Sequence, residues 1–373
     1  MRFAVLLLAS FLAAPVLSAQ HAVPSDGQWL IEPGEHSATV RLTIRYGERR
    51  YHDSWNNQDD VPMSQLVGLS AADMGGSGVT VHFKIVRSAG TLDCEGWFAS
   101  GKGSGHFTYQ PNPGFVAELA KRGINAPTAW EQFAMTMADV GLDFVDELKR
   151  QGYDRPTAGL LARMATHGVD LQYAKALGAR GYRFKDPERL VRMRDHGVDE
   201  EFIASLDSAG YKNLSAEDLV RVRDHGVDGE YIAGMKARGY AFKDLERLVQ
   251  MRDHGVNPEF IESLNSAGYK NLGAEDLVRL RDHGVDGDYI ADMKEMGYAP
   301  SNPDELVEAR DHGVDGSYIA SLKEAGYEKL SLSELRRARD HGVTRGFIQR
   351  VKSRGYSNPS LDEVIRLRDR GLD

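Results

Sequence analysis

The chain has 373 residues, a formal net charge of −9 and a single cysteine. That length alone suggests two or three domains. The acidic balance argues against a general nucleic-acid binder, and one cysteine excludes an intrachain disulfide. Met1-Arg2 and the apolar stretch from Phe3 to Val16 read as a secretory signal peptide over residues 1–19. The stretch is too short to span a bilayer comfortably, and the small Ser18 and Ala19 follow it, so cleavage near Ala19 is expected. A retained N-terminal anchor is the alternative. No cysteine stands at the cleavage site, which argues against a lipoprotein. The mature chain is expected to be exported, periplasmic or extracellular, with no transmembrane span.

Residues 20–110 carry strand periodicity. Val40, Leu42, Ile44 and Tyr46 alternate on one face, as do Val79, Val81, Phe83 and Ile85. Ser88-Ala89-Gly90 turns the chain into Thr91–Phe98. The glycine-rich run Gly101–Gly105 is read as a second turn, leading into His106–Tyr109. These elements predict a small antiparallel β-domain. Cys94 alternates with Leu92 and is expected to be a buried strand residue rather than a reactive thiol. Gly96–Lys102 fits the opening of a phosphate-binding loop. Gly103 follows instead of Ser or Thr, and a strand follows instead of a helix, so no helix N-terminus is there to hold phosphate.

Residues 111–373 repeat every 29 positions without insertion or deletion. Arg-Asp-His-Gly ends at Gly197, Gly226, Gly255, Gly284, Gly313 and Gly342. A second glycine row runs Gly123, Gly152, Gly181, Gly210, Gly239, Gly268, Gly297, Gly326 and Gly355. Two rows of helix caps keep the same step. One includes Thr128, Ser215 and Ser331; the other includes Asn112, Asp228 and Asp315. Each unit therefore predicts two short helices, each stopped by a left-handed glycine and followed by an apolar residue such as Val227 or Tyr240. An aromatic row (Phe115 through Tyr231 to Phe347) and the Tyr row that follows the second glycines sit at core spacing, although such a ladder would also suit sugar or base stacking. Helices this short are marginal alone, so the expected fold is an α-solenoid of about nine repeats behind the β-domain. Ala138-Asp139 stands where His-Gly would be, which marks a degenerate first repeat.

The candidate site is the ladder formed by Arg194, Asp195, His196, Arg223, Asp224, His225, Arg252, Asp253, His254, Arg281, Asp282, His283, Arg310, Asp311, His312, Arg339, Asp340 and His341. His167 begins the same histidine row. Successive histidines should lie about 8–10 Å or more apart, too far to share one zinc ion at about 2 Å. Neither HExxH nor CxxC occurs, so no metal, cofactor or catalytic role is assigned to the row. The expectation is structural. Each His caps a helix C-terminus and bonds its last carbonyls. Each Asp sits at the unfavourable, negative end of a helix dipole and is expected to pair with an Arg such as Arg194 or Arg223, or with backbone N–H groups at the junction between repeats.

Ala89-Gly90-Thr91, Glu95-Gly96-Trp97-Phe98 and Gly103-Ser104-Gly105-His106-Phe107, with the His-Gly-Val repeats, resemble the region after the protease in some bacterial β-lactam-sensor-type membrane zinc peptidases. The resemblance covers residues 80–373. It implies an extracytoplasmic sensing or docking module and no protease activity, because the zinc motif and the multi-span membrane domain are missing. The expected function is a non-enzymatic scaffold of the cell envelope that binds a protein or peptide. One alternative is metal or small-ligand sequestration by the histidine row. Another is a hydrolase with its site in the β-domain or at the domain junction, where His36, His52, His82 or His106 would converge.

Overall fold

The computed structural model describes residues 25–34, 38–46, 55–153 and 156–371. The expected signal segment, His36 and His52 lie outside them. The chain divides into two compact units, Met1–Asp195 and His196–Asp373.

The first unit opens on seven strands: β1 (Asp26–Pro33), β2 (Thr39–Tyr46), β3 (Trp55–Pro62), β4 (Leu66–Val67), β5 (Ser77–Val86), β6 (Gly90–Ala99) and β7 (Lys102–Pro111). They form one antiparallel sheet in the order β3-β2-β1-β7-β6-β5-β4. A short helix, α1 (Ala71–Gly75), precedes β5. The sheet's apolar face buries Ile31, Leu42, Phe83, Leu92, Cys94 and Phe107. At its centre lies Trp29, which is fully buried and donates its indole N–H to the carbonyls of Glu95 (3.2 Å) and His106 (3.1 Å).

One expectation is corrected here. The turn between β6 and β7 is only Ser100-Gly101, with φ of 53° and 83°, the two-residue geometry that matches strand twist. Gly103 and Gly105 are strand residues, not turn residues. A Cβ on Gly103 would lie 2.5 Å from the Phe98 ring, and one on Gly105 would lie 2.7 Å from the Trp29 ring. These glycines make room for aromatic rings on the buried face.

Six helices complete the unit: α2 (Pro113–Lys121), α3 (Ala129–Met137), α4 (Leu142–Arg150), α5 (Ala158–Thr166), α6 (Leu171–Ala179) and α7 (Glu188–Asp195). The sheet's apolar face is closed by α3, which adds Phe133 and Met137 to the core. The Phe133 ring meets those of Tyr46 and Tyr109 edge-on, at 4.6 and 5.0 Å. Polar bonds fix the junction. Arg87 donates to the carbonyls of Thr136 and Met137, and Gln132 donates to those of Ala89 (2.8 Å) and Asn112 (2.9 Å). Beyond it, α2 packs on α4, α4 on α6, α3 on α5 and α5 on α7.

The second unit is helical throughout: α8 (Glu200–Ser208), α9 (Ala216–Asp224), α10 (Gly229–Ala237), α11 (Leu245–Asp253), α12 (Pro258–Ser266), α13 (Ala274–Asp282), α14 (Gly287–Glu295), α15 (Pro303–Asp311), α16 (Gly316–Glu324), α17 (Leu332–Asp340), α18 (Arg345–Ser353) and α19 (Leu361–Asp369). Each has nine residues. Even-numbered helices from α8 to α18 pack in succession, and α13, α15 and α17 do the same. No helix among the described residues is long and apolar enough to cross a membrane.

Cap chemistry sets these lengths. Ser215 accepts the backbone N–H of Asp218 to start α9, and Asp228 accepts that of Tyr231 to start α10. The stop of α9 is a Schellman turn. Gly226 takes φ 66°, its N–H reaches Arg223 O at 3.0 Å, and Val227 N–H reaches Val222 O at 2.8 Å. Both glycine rows take positive φ throughout. The aromatic row is core, with Tyr231 and Phe260 only 5% and 4% exposed. The Tyr row is mostly half-buried, and its hydroxyls reach ahead. Tyr240 donates to Leu272 O (2.8 Å) and Tyr298 to Leu330 O (2.6 Å).

A second period lies over the first. Asn213, Asn271 and Lys329 take positive φ in every other linker. In the linkers between them, Asp244 and Asn302 cap the second residue of their helices rather than the third. The linkers between α8 and α17 therefore alternate, and the alternation ends at Ser360, which caps the third residue of α19.

Burial pushes the phenols of Tyr231, Tyr289 and Tyr318 up to about 12. Each donates to the carbonyl that follows a glycine stop, at Val256, Val314 and Val343 respectively. The raised value belongs to the folded state. The stability it contributes is complete below the ordinary phenol value near 10 and is lost as pH rises through about 12. Helical circular dichroism should hold to about pH 10 and then fall in step with tyrosinate absorbance. Full tyrosinate formation near pH 10 with helicity intact would contradict these burials.

Candidate functional site

The Arg-Asp-His-Gly ladder is built from helix ends. Gln250 to Asp253 close α11, His254 is its C-cap and Gly255 the left-handed stop at φ 71°. Asp, at the negative end of the dipole, needs a positive or hydrogen-donating neighbour.

That neighbour is a histidine, which corrects the expected Arg pairing. Nδ1 of His167, His196, His225, His254, His283, His312 and His341 lies 2.6–2.8 Å from Oδ1 of Asp195, Asp224, Asp253, Asp282, Asp311, Asp340 and Asp369, in that order. The ring therefore faces the next repeat's carboxylate rather than its own helix's last carbonyls. The carboxylate accepts, so Nδ1 carries the proton. Both side chains of the His225–Asp253 pair stay near half-exposed, at 40% and 45%.

The arginines do something else. Arg223 lies over the Phe202 ring at 4.8 Å, Arg252 over Tyr231 at 4.9 Å, Arg310 over Tyr289 at 4.8 Å and Arg339 over Tyr318 at 4.7 Å. Arg194 and Arg281 do the same over Tyr173 and Phe260, each at 5.0 Å. Each guanidinium covers the face of a buried ring belonging to the previous repeat. Sequence reasoning grouped the correct residues and missed their partners. The signal was available, because the aromatic row keeps constant step with the arginine row.

The Nε2 atoms of the histidine row make no hydrogen bond among the described residues. The same residues contain no group of three or more His, Cys, Asp or Glu side chains that could hold a metal ion.

The sheet offers a second surface. Its solvent face carries a shallow groove lined by Gln28, Thr80, Glu95, Trp97, Ser104 and His106, with Trp97 53% exposed. His82 and His106 flank Glu95 on adjacent strands. Of the histidines considered for a hydrolytic site, these two share a face. Cys94 sits in the core, and burial pushes its thiol up to about 12. The chain matches no family model and no curated protein.

The ladder predicts two stability effects of different size. A double-mutant cycle on His225→Ala and Asp253→Ala should give a coupling of roughly 0.2–1 kcal/mol, as for half-exposed pairs. Arg252→Ala should cost about 1 kcal/mol or more, because it uncovers the Tyr231 ring as well as removing a charge. Denaturant unfolding measures both. Zero coupling together with a neutral Arg252→Ala would leave the ladder without a structural role.

Proposed function

We propose that the chain is an exported, non-enzymatic scaffold of the cell envelope, whose α-solenoid of about nine 29-residue repeats holds a protein or peptide. The observation that carries this reading is the serial, self-satisfied chemistry of the repeat. Each His is bonded to an Asp, each Arg covers a ring, and the arrangement recurs in step. A regular polar face is the usual contact area of stacked helical repeats. The apolar leader supports export. The resemblance to the region after some membrane zinc peptidases supports a sensing or docking role outside the cytoplasm.

Metal sequestration remains as a second reading for one reason. A histidine that donates Nδ1–H to a carboxylate has its Nε2 oriented as in many metal sites. One such nitrogen per repeat gives only low-coordinate, weak binding.

Zinc calorimetry on the full chain separates the two. The scaffold reading expects no tight stoichiometric uptake, whereas several tight sites would replace it with sequestration. In parallel, charge reversal at Arg221, Arg279 and Arg337 should abolish capture of a discrete envelope partner. Those arginines form a half-exposed series paired with Glu246, Asp304 and Asp362. Trp97→Ala should leave capture intact. Capture that depends on Trp97 and not on the arginines would move the function to the sheet.

A further inference from the structure

The repeat supplies its own template for a binding site. In filled rungs an arginine lies over the preceding repeat's aromatic ring, at 4.7–5.0 Å from Arg194–Tyr173 to Arg368–Phe347. Beneath each arginine is a positive-φ glycine. A Cβ there would meet the arginine Nε at 3.3–3.6 Å. At 3.3 Å that contact is tight and at 3.6 Å ordinary, so it is the positive φ that calls for glycine, and the missing side chain leaves the arginine room.

One place in the first unit departs at every position of the rung except the aromatic one. Ala165 stands for the arginine and Asp139, at φ 51°, stands for the glycine. Ala138 and Thr166 stand for the His–Asp pair. The aromatic residue, Phe144, is kept and buried. A cavity of about 410 Å³ opens here, with Asp139, Asp143, Phe144, Ala165, Asp170 and Arg194 in its lining. The paired replacement removes the chain's own guanidinium and adds a carboxylate where the guanidinium would have run. Arg194, the one lining cation, is stacked on Tyr173. Asp139 lies 4.0 Å from Arg87 Nε and stays half-exposed at 51%. Asp143 and Asp170 each use one oxygen on a backbone N–H, of Phe144 (2.9 Å) and Tyr173 (2.7 Å). Carboxylates have further lone pairs to offer a planar donor.

We infer that this cavity receives an arginine side chain from the partner, its guanidinium set against Asp139 and Asp143 and its stem along Phe144 and Ala165. The inference rests on the scaffold reading and narrows it, giving the partner a specific chemistry. Two carboxylates facing one cavity suit a planar guanidinium fork better than a point charge. Lysine lacks the planar fork.

The test uses the full chain and N-acetyl-arginine amide as probe, with the lysine and citrulline amides alongside, read by NMR shifts at millimolar concentration. Arginine amide should bind, the lysine analogue more weakly, and uncharged citrulline not at all. Ala165→Arg should abolish binding by filling the cavity from within. Because that variant could disturb folding, Asp143→Asn is the second probe. It keeps an acceptor for the Phe144 N–H and should weaken binding roughly tenfold. Failure of arginine amide to bind, equal binding of citrulline, or binding unchanged by both variants would overturn the inference. An envelope partner that still docks on the Ala165→Arg protein would keep the scaffold reading and remove this one.

Discussion

The left-handed glycine that stops each helix of the second unit is the constraint on which the rest of the structure depends. It stops each helix of the second unit at nine residues, too short to persist alone in water. After the first glycine row the chain returns within two residues, as Asp228 after Gly226, and after the second row the next cap comes five residues on, as Asp244 after Gly239. Stability then comes from neighbours. The apolar face of α10, with Tyr231, Ile232 and Met235, is buried where α8 and α12 pack on α10 and Arg252 lies over the Tyr231 ring.

On this frame the polar residues resolve into two jobs. The arginines of the ladder cover the faces of the buried rings and run beside the left-handed glycines. The His–Asp pairs relieve an unfavourable charge at a helix C-terminus by borrowing a proton donor from the preceding repeat. Half-exposed pairs of this kind contribute modestly. The burial of Val222, Val227, Leu264 and Met293, all fully covered, contributes far more per residue. The ladder therefore sets register between repeats more than it sets total stability.

Much of this was legible in the sequence because caps and stops are local chemistry. Gly239, Ser215 and Asp228 announce their roles through residue type and step. What was not legible is what depends on contact between distant positions. Strand β1 was missed because Trp29 and Ile31 give too short an alternation, yet Trp29 is the centre of the sheet's core. Gly103 and Gly105 read as turn residues because glycine clusters usually are, whereas in this sheet large rings need the space. The Asp partner was missed because His225 and Asp253 lie 28 residues apart, a relation fixed only by stacking. The doubled period was visible in principle, since Tyr-Lys-Asn-Leu recurs at 211–214 and 269–272.

The most direct measurement of the central claim is the unfolding free energy of Gly239→Ala against Ala237→Gly. Gly239 has φ 91° and open space around the position of an added Cβ, so substitution there tests backbone conformation alone. Ala237 ends α10 and has no such demand on its backbone. Gly239→Ala should cost about 1–2 kcal/mol, the penalty of a left-handed L-residue, and Ala237→Gly at most about 1 kcal/mol. A Gly239→Ala protein as stable as the parent would mean that the bends do not require glycine, and the account of the repeat would be wrong.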